Sequence, residues 1–290
     1  MDQTAVVLVT GSSSGFGRLI VETLGRRGCR VAASMRDSHG KNAAARAEIE
    51  ALARQERWAV AVVNLDVTDD RSVASGVAEV LSRFGRLDVV VNNAGIGSMG
   101  VTEAYPTAQV QALFETNFFG AVRVNRAALP HLRRQGSGLL VHVTSTAGRV
   151  LIPFLGPYSA SKFALEALAE AYHHDLAPLG IDSVIVEPGI YPTNIGKNAR
   201  GPDDRACQEE YAALKPRIGQ VGQAFEKYAA PDPQEVADAI AHLIALPAGQ
   251  RPLRTLLGPD ARRLERLNQV AAEVQTDMLR WVGMIDTPPG

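Results

Sequence analysis

Short runs of β-branched and aliphatic residues recur along this chain, separated by longer stretches of helical periodicity, and that alternation restricts the fold more than any other feature. The first run, "AVVLVT" at 5–10, is apolar on successive residues, which suits a strand covered on both faces. Similar runs stand at 30–35, 59–65, 88–91, 139–144, 183–186 and 253–257. Between them, 69–84, 107–134 and 159–179 repeat their apolar residues at helical spacing. The pattern predicts an α/β fold, a doubly wound parallel sheet with right-handed crossovers and helices on both faces. Such sheets bind ligands beyond the carboxyl ends of their strands, near the point where strand order reverses. Chemistry is therefore expected in the residues that follow each strand.

The 290 residues are 46% hydrophobic, enough for a large core, and no Pro-, Gly- or Ser-rich linker divides them, so one domain spanning 1–290 is expected. Lys and Arg total 30 against 31 Asp and Glu. That balance leaves no basic footprint for nucleic acid or an anionic membrane, and no apolar run reaches bilayer length. Cys29 and Cys207 are too few for a disulfide framework and suit a reducing compartment. With Asp2 and Gln3 where a secretory leader would be basic, a cytoplasmic protein is expected. No Cys/His cluster has metal-ligand spacing, and His173 and His174 read as surface or interface residues.

Two regions break the alternation. Residues 191–230 are polar and Pro/Gly-punctuated, too long for an ordinary connection, and are expected to form a mobile lid over a substrate. In the tail, 261–290, Leu264, Leu267, Ala271, Val274, Met278 and Trp281 recur by threes and fours. They predict a helical extension whose apolar stripe packs on the domain.

"VTGSSSGFG" sets Gly11, Gly15 and Gly17 directly after the first strand and at the head of a helix. Glycines there permit a tight turn and close approach of backbone to ligand, and the helix N-terminus offers free N–H groups to a pyrophosphate. The spacing is GxxxGxG rather than GxGxxG, a weak signal by itself; its place between strand and helix points to dinucleotide binding.

Tyr158 and Lys162 stand four residues apart, on one face of a helix. A tyrosine of pKa about 10 is a poor acid–base catalyst near neutrality. A neighbouring ammonium favours the phenolate and brings that pKa toward the working range. The spacing alone is common on solvated helices. It gains meaning from "TGxxxGxG", "NNAG" at 92–95 and "YSASK" at 158–162 occurring in this order. Together these motifs resemble the short-chain dehydrogenase/reductase superfamily over most of the chain, from the first strand to about Leu257, and most closely its hydroxysteroid and retinol dehydrogenase members.

The resemblance implies a seven-stranded Rossmann-type sheet and a nicotinamide-dependent oxidoreductase. It assigns Ser145, thirteen residues before Tyr158, to the substrate oxygen. Asn117 would bend its helix and position a water that returns a proton through Lys162. For the cofactor it implies Gly11, Ser13, Ser14, Gly15, Phe16 and Gly17 around the phosphates, with Ser12 also offering a hydroxyl. Asp66 and the backbone of Val67 would meet the adenine, Ala94 and Gly95 would let the ribose pass, and Asn93 beside them would bond main chain across the strand ends. Tyr158 and Lys162 would hold its hydroxyls, and Pro188, Gly189 and Thr193 would stand at the nicotinamide. Met35 occupies the position where an NAD enzyme carries Asp, and Arg36 follows it, which favours NADP over NAD. Asp37 takes the acidic role if the register is off by two.

Phe154, Leu155 and the apolar residues of 191–230 suggest a sizeable apolar carbonyl or alcohol as substrate. The faces of the helices carrying Asn117 and Tyr158 suggest a homodimer or homotetramer. A ketoacyl-carrier-protein reductase is the runner-up, though such chains end in "DGG" where this one reads "LLGPD" and continues. A non-catalytic NADP(H)-sensing regulator is the reading from another class.

Overall fold

The computed structural model describes residues 5–227, 231–259 and 262–285. Seven strands, β1 (Val6–Val9), β2 (Arg30–Met35), β3 (Val60–Asn64), β4 (Val89–Asn92), β5 (Gly138–Val143), β6 (Ile181–Pro188) and β7 (Arg254–Leu257), form one sheet. Its order is β3-β2-β1-β4-β5-β6-β7, and every pair is parallel. Strand order reverses between β1 and β4, so the crevice for a ligand opens there. Each predicted strand is present, with ends moved by no more than two residues and β2 not at all.

Alternation along the strands feeds two cores. Val7 and Val9 of β1 face one side, with Ile20 and Leu24 of α1 (Gly15–Arg26) and Val236 and Ile240 of α10 (Gln234–Ala245). Val6 and Leu8 face the other, with Val73 and Val77 of α3 (Asp70–Phe84) and Val124 and Leu132 of α5 (Gly120–Gln135). The sheet is thus covered on both faces, as near-continuous apolar strands require. α2 (Ala43–Glu56) links β2 to β3, and α6 (Gly156–Leu176) lies between β5 and β6. Cys29 is buried and Cys207 half-buried.

The stretch expected as one helix over 107–134 is interrupted. α4 (Thr107–Phe114) passes into a π turn at Glu115–Phe119, and α5 continues from it. Residues 191–227 hold three short helices, α7 (Asn194–Lys197), α8 (Arg205–Glu210) and α9 (Lys215–Lys227). Residues 228–230 of the expected lid lie outside the described residues. This segment is tied to the loop after β4: Tyr105 donates to Arg200 O at 3.0 Å, and Gln109 donates to Gly201 O at 2.8 Å.

The tail forms α11 (Arg262–Trp281), as its periodicity predicts, but its stripe does not pack on the domain. Only Leu264 is buried. Leu267, Val274 and Trp281 are 40%, 56% and 80% exposed. The helix instead meets the domain along the adjacent face, where Asn268 reaches a buried carboxylate of β6. Periodicity shows which residues share a face; the polar anchor determines which face turns inward.

Candidate active site

At the head of the crevice, Gly11 adopts φ +69°, and a Cβ on it would stand 2.8 Å from Ala94 Cα. A Cβ on Gly17 would fall 2.2 Å from Gly11 O and 2.6 Å from Asn93 Nδ2. Glycine at these two positions lets the β1–α1 turn close against the end of β4. Ser14 is the N-cap of α1 yet makes no capping hydrogen bond, so the first-turn N–H groups lack a side-chain partner. An uncapped helix N-terminus over a glycine turn fits a pyrophosphate. Ser13 and Ser14 are accessible beside it, whereas the Ser12 hydroxyl is buried and donates to Val9 O at 2.9 Å, out of reach of a phosphate. The Phe16 ring packs edge-on to Tyr191 at 5.4 Å, and Thr193 lies across the turn from Gly15.

A residue that motif reading passed over locks this crevice. The buried Thr10 hydroxyl accepts from the backbone N–H of Asn93 at 2.9 Å and of Ala94 at 3.0 Å. Asn93 Nδ2 donates back to Thr10 O at 2.8 Å and Gly11 O at 3.2 Å, the cross-strand bonding expected of this asparagine.

Beyond β2, Met35 is buried and Arg36 is exposed, with no ion pair among the described residues. Asp37 adopts φ +46°, and its carboxylate accepts from Lys41 N–H at 2.8 Å. Its charge is thereby turned into the following loop. After β3, Asp66 accepts from the N–H and hydroxyl of Thr68 at 2.9 and 2.8 Å, while Asp69 caps α3 by accepting from Ser72 N–H at 2.7 Å. Val67 is buried beside Asp66. At the far end, Pro188 closes β6 and Gly189 N–H donates to Leu257 O at 2.9 Å.

The four residues expected at the reaction centre converge. Ser145 follows β5, with its Oγ accepting from Ala147 N–H at 3.1 Å. Tyr158, in the first turn of α6, is in hydrogen-bond contact with Ser145. Burial pushes the tyrosine pKa above its usual 10, and the Ser145 bond pulls it back. Lys162, one turn along, is 3% exposed; its Nζ donates to Val143 O at 2.9 Å and lies 6.0 Å from the Tyr158 ring centre. Burial lowers its pKa to about 8, and the charge of Glu166 opposes that fall.

Asn117 sits inside the π turn and is buried. Its Oδ1 accepts from Ile96 N–H at 2.8 Å and its Nδ2 donates to Ile96 O at 3.0 Å. The same Nδ2 donates to Ser161 Oγ at 3.0 Å, and Ser161 donates to Tyr158 O at 2.7 Å. Ser161, within "YSASK", is a second residue missed by motif reading, and it ties the asparagine to α6. A Cβ on Gly95 would lie 3.4 Å from Asn117 Oδ1 and 3.7 Å from Lys162 Nζ, so the end of β4 borders both. The strained Phe154, at φ +67°, accepts from Gly100 N–H at 2.8 Å just before α6.

A switch-point crevice with a glycine-lined helix terminus, flanked by Ser after β5 and by Tyr and Lys on α6, defines a dinucleotide-dependent oxidoreductase class. The short chain dehydrogenase family model matches residues 5–204, and the chain belongs to that family, acting on CH–OH groups. It is 32% identical to the 3-ketodihydrosphingosine reductase of Bacteroides thetaiotaomicron over 260 residues, 89% of each chain. It is 39% identical to retinol dehydrogenase 8 of Bos taurus over 191 residues, covering 65% of this chain and 59% of that one. Among solved structures, a short-chain dehydrogenase from Streptomyces avermitilis superposes with a TM-score of 0.79 at 33% identity, over 97% of this chain and 98% of the other. The resemblance to retinol and hydroxysteroid dehydrogenases agrees with these relatives.

Proposed function

We propose that this oxidoreductase interconverts an apolar carbonyl compound and its primary or secondary alcohol with NADP(H), through Ser145, Tyr158, Lys162 and Asn117. The observation that carries the reading is the Tyr158 hydroxyl against Ser145, one helical turn from the buried Lys162 ammonium. When bound, the nicotinamide supplies or accepts hydride. Ser145 and Tyr158 hold the substrate oxygen, and Tyr158 gives its proton to that oxygen in reduction or takes one in oxidation. Lys162 stabilises the phenolate left behind and holds ribose hydroxyls. Asn117, fixed through Ile96 and Ser161, positions the water that restores the proton.

Gly11, Ser13, Ser14, Gly15, Phe16 and Gly17 take the phosphates. Asp66 and Val67 take the adenine, and Asn93, Ala94 and Gly95 border the ribose. Pro188, Gly189 and Thr193 face the nicotinamide. The free guanidinium of Arg36 and the inturned carboxylate of Asp37 support NADP over NAD. An apolar substrate is supported by Ile218, Val221 and Phe225 on α9, none of them fully buried, and by the names of the two relatives above. Residues 191–230 act as the lid. The exposed Phe119 and Phe163, beside α5 and on α6, support homodimer or homotetramer contacts. No helix among the described residues is long and apolar enough to cross a membrane, and a chain with only two cysteines suits a reducing compartment such as the cytoplasm.

NADPH oxidation measured in parallel against steroid ketones, retinal, simple aldehydes and acyl thioesters tests this reading. Turnover is expected with the large apolar ketones or aldehydes. Preference for acyl thioesters would make the protein a ketoacyl reductase, and tight NADPH binding with no turnover would make it a sensor.

A further inference from the structure

Behind Lys162 lies a buried ionic cluster that takes no part in the chemistry above. Glu166, one helical turn beyond the lysine, is 2% exposed, and Glu187 of β6 is 0% exposed. Arg254 of β7 reaches Glu166 at 3.1 Å, Glu170 at 2.8 Å and Glu187 at 3.3 Å. From the turn after β5, Arg149 stands 3.8 Å from Glu187, and Thr144 is in hydrogen-bond contact with Glu166. From α11, Asn268 Nδ2 donates to Glu187 at 2.6 Å and its Oδ1 accepts from Arg149 at 2.9 Å. His142, on the neighbouring strand β5, and Tyr158, whose ring centre is 6.0 Å from Lys162 Nζ, are the other titratable groups that face the lysine.

Three carboxyl groups meet two guanidinium groups here. Glu166 Oε1 and Glu187 Oε1 are both buried without a hydrogen-bond donor among the described residues, and the two carboxyls are in hydrogen-bond contact with each other. Adjacent buried carboxylates cannot both ionise cheaply, so a single proton held between them satisfies both orphaned oxygens. The turn that follows Ser145 packs on the same place: a Cβ on Gly148 would lie 3.1 Å from Lys162 O and 3.2 Å from Glu166 Cγ.

We propose that Glu166, sharing one proton with Glu187, is a positioning residue that keeps the Lys162 ammonium charged as pH rises. At low pH the pair holds one proton and carries one negative charge. As pH rises, the proton leaves and a second negative charge appears one helical turn from Lys162. Burial raises the Glu166 carboxyl to about 7 and lowers Lys162 to about 8, so the two groups titrate in the same range. The added charge then delays loss of the ammonium.

This inference rests on reading Lys162 as part of the reaction centre, but its test observes the lysine directly. The chain has only five lysines, so a spectrum of protein labelled at lysine Cε is sparse, and Lys162→Arg identifies the signal by its absence. Glu166→Gln keeps the side-chain shape and leaves Glu187 as one fixed charge. The Lys162 midpoint is expected to fall by about one pH unit in Glu166→Gln. Glu187→Gln, the second variant should the first fail to fold, is expected to do the same. An unchanged midpoint in folded Glu166→Gln or Glu187→Gln would reduce the cluster to a structural ion network and overturn the proposal. Because no substrate is needed, a shifted midpoint in a protein without turnover would uphold the coupling and sink the enzymatic reading alone. In an active protein, the alkaline limb of NADPH-dependent turnover should move by the same amount.

Discussion

Thr10 and Asn93 clasp each other across the two strands that part at the switch point: one hydroxyl accepts two backbone N–H groups, and one side-chain amide returns two bonds. Thr10→Val keeps the shape and removes the acceptor, leaving the Ala94 N–H unpaired and the Asn93 N–H with Val91 O alone. The expected loss is about 2–3 kcal/mol of unfolding free energy, read by urea denaturation, together with weaker dinucleotide binding. A variant as stable as the parent would mean the clasp is incidental.

Tyr158→Phe removes the hydroxyl proposed as the proton donor and little else. Cofactor affinity and thermal stability should stay within error of the parent, while turnover drops by at least about 100-fold, as loss of an acid–base group predicts. Stopped-flow measurement of NADPH oxidation decides the matter, and substantial remaining turnover would take the tyrosine out of the acid role.

Arg36→Ala should weaken NADPH binding about tenfold and leave NADH binding unchanged. The site is exposed, so solvent screening keeps the effect modest. Fluorescence titration with both nucleotides compares them; equal losses for the two would assign Arg36 to the surface alone.

His142 is fully buried on β5, stacked on Tyr172 at 6.3 Å, and neither ring nitrogen has a partner among the described residues. Burial, with the Lys162 charge adding to it, lowers its pKa from 6.5 to about 3. Between those values the unfolded chain binds a proton that the folded chain does not, so this residue's contribution to stability declines as pH falls from 6.5 to 3. His142→Leu should therefore gain on the parent as the solution is acidified. Denaturation at pH 7 and pH 5 shows this as a difference that widens; a constant difference would mean that the imidazole takes up its proton as readily in the folded chain as in the unfolded one.

Much of the frame was readable beforehand because its signals are local. The strand 30–35 follows from its apolar run, and the glycine turn, "NNAG" and "YSASK" carry their chemistry in a few adjacent residues. What stayed hidden depends on partners distant in the chain. Glu166 looks like any acid on a helix until Glu187 and Arg254 close around it. Thr10 looks like the last residue of a strand. The α11 stripe fixed a face but not its environment, since Asn268 and Arg149 turned a different side inward. Ser12 has the right residue type for a phosphate, yet its backbone position aims the hydroxyl at Val9.

The π turn at Glu115–Phe119 holds one residue more than an unbroken helix needs, and that surplus aims Asn117 at Ile96. Loss of a single codon between 115 and 119 would heal the helix by letting every later peptide regain its ordinary partner. The deletion would rotate the asparagine off its target by about 100°, one residue's turn of an α-helix. Such a protein should still fold, with circular dichroism like the parent's, and lose the relay proposed for Asn117. On that proposal the proton path is an indel away from erasure, a route to inactive paralogues that substitution counts would overlook.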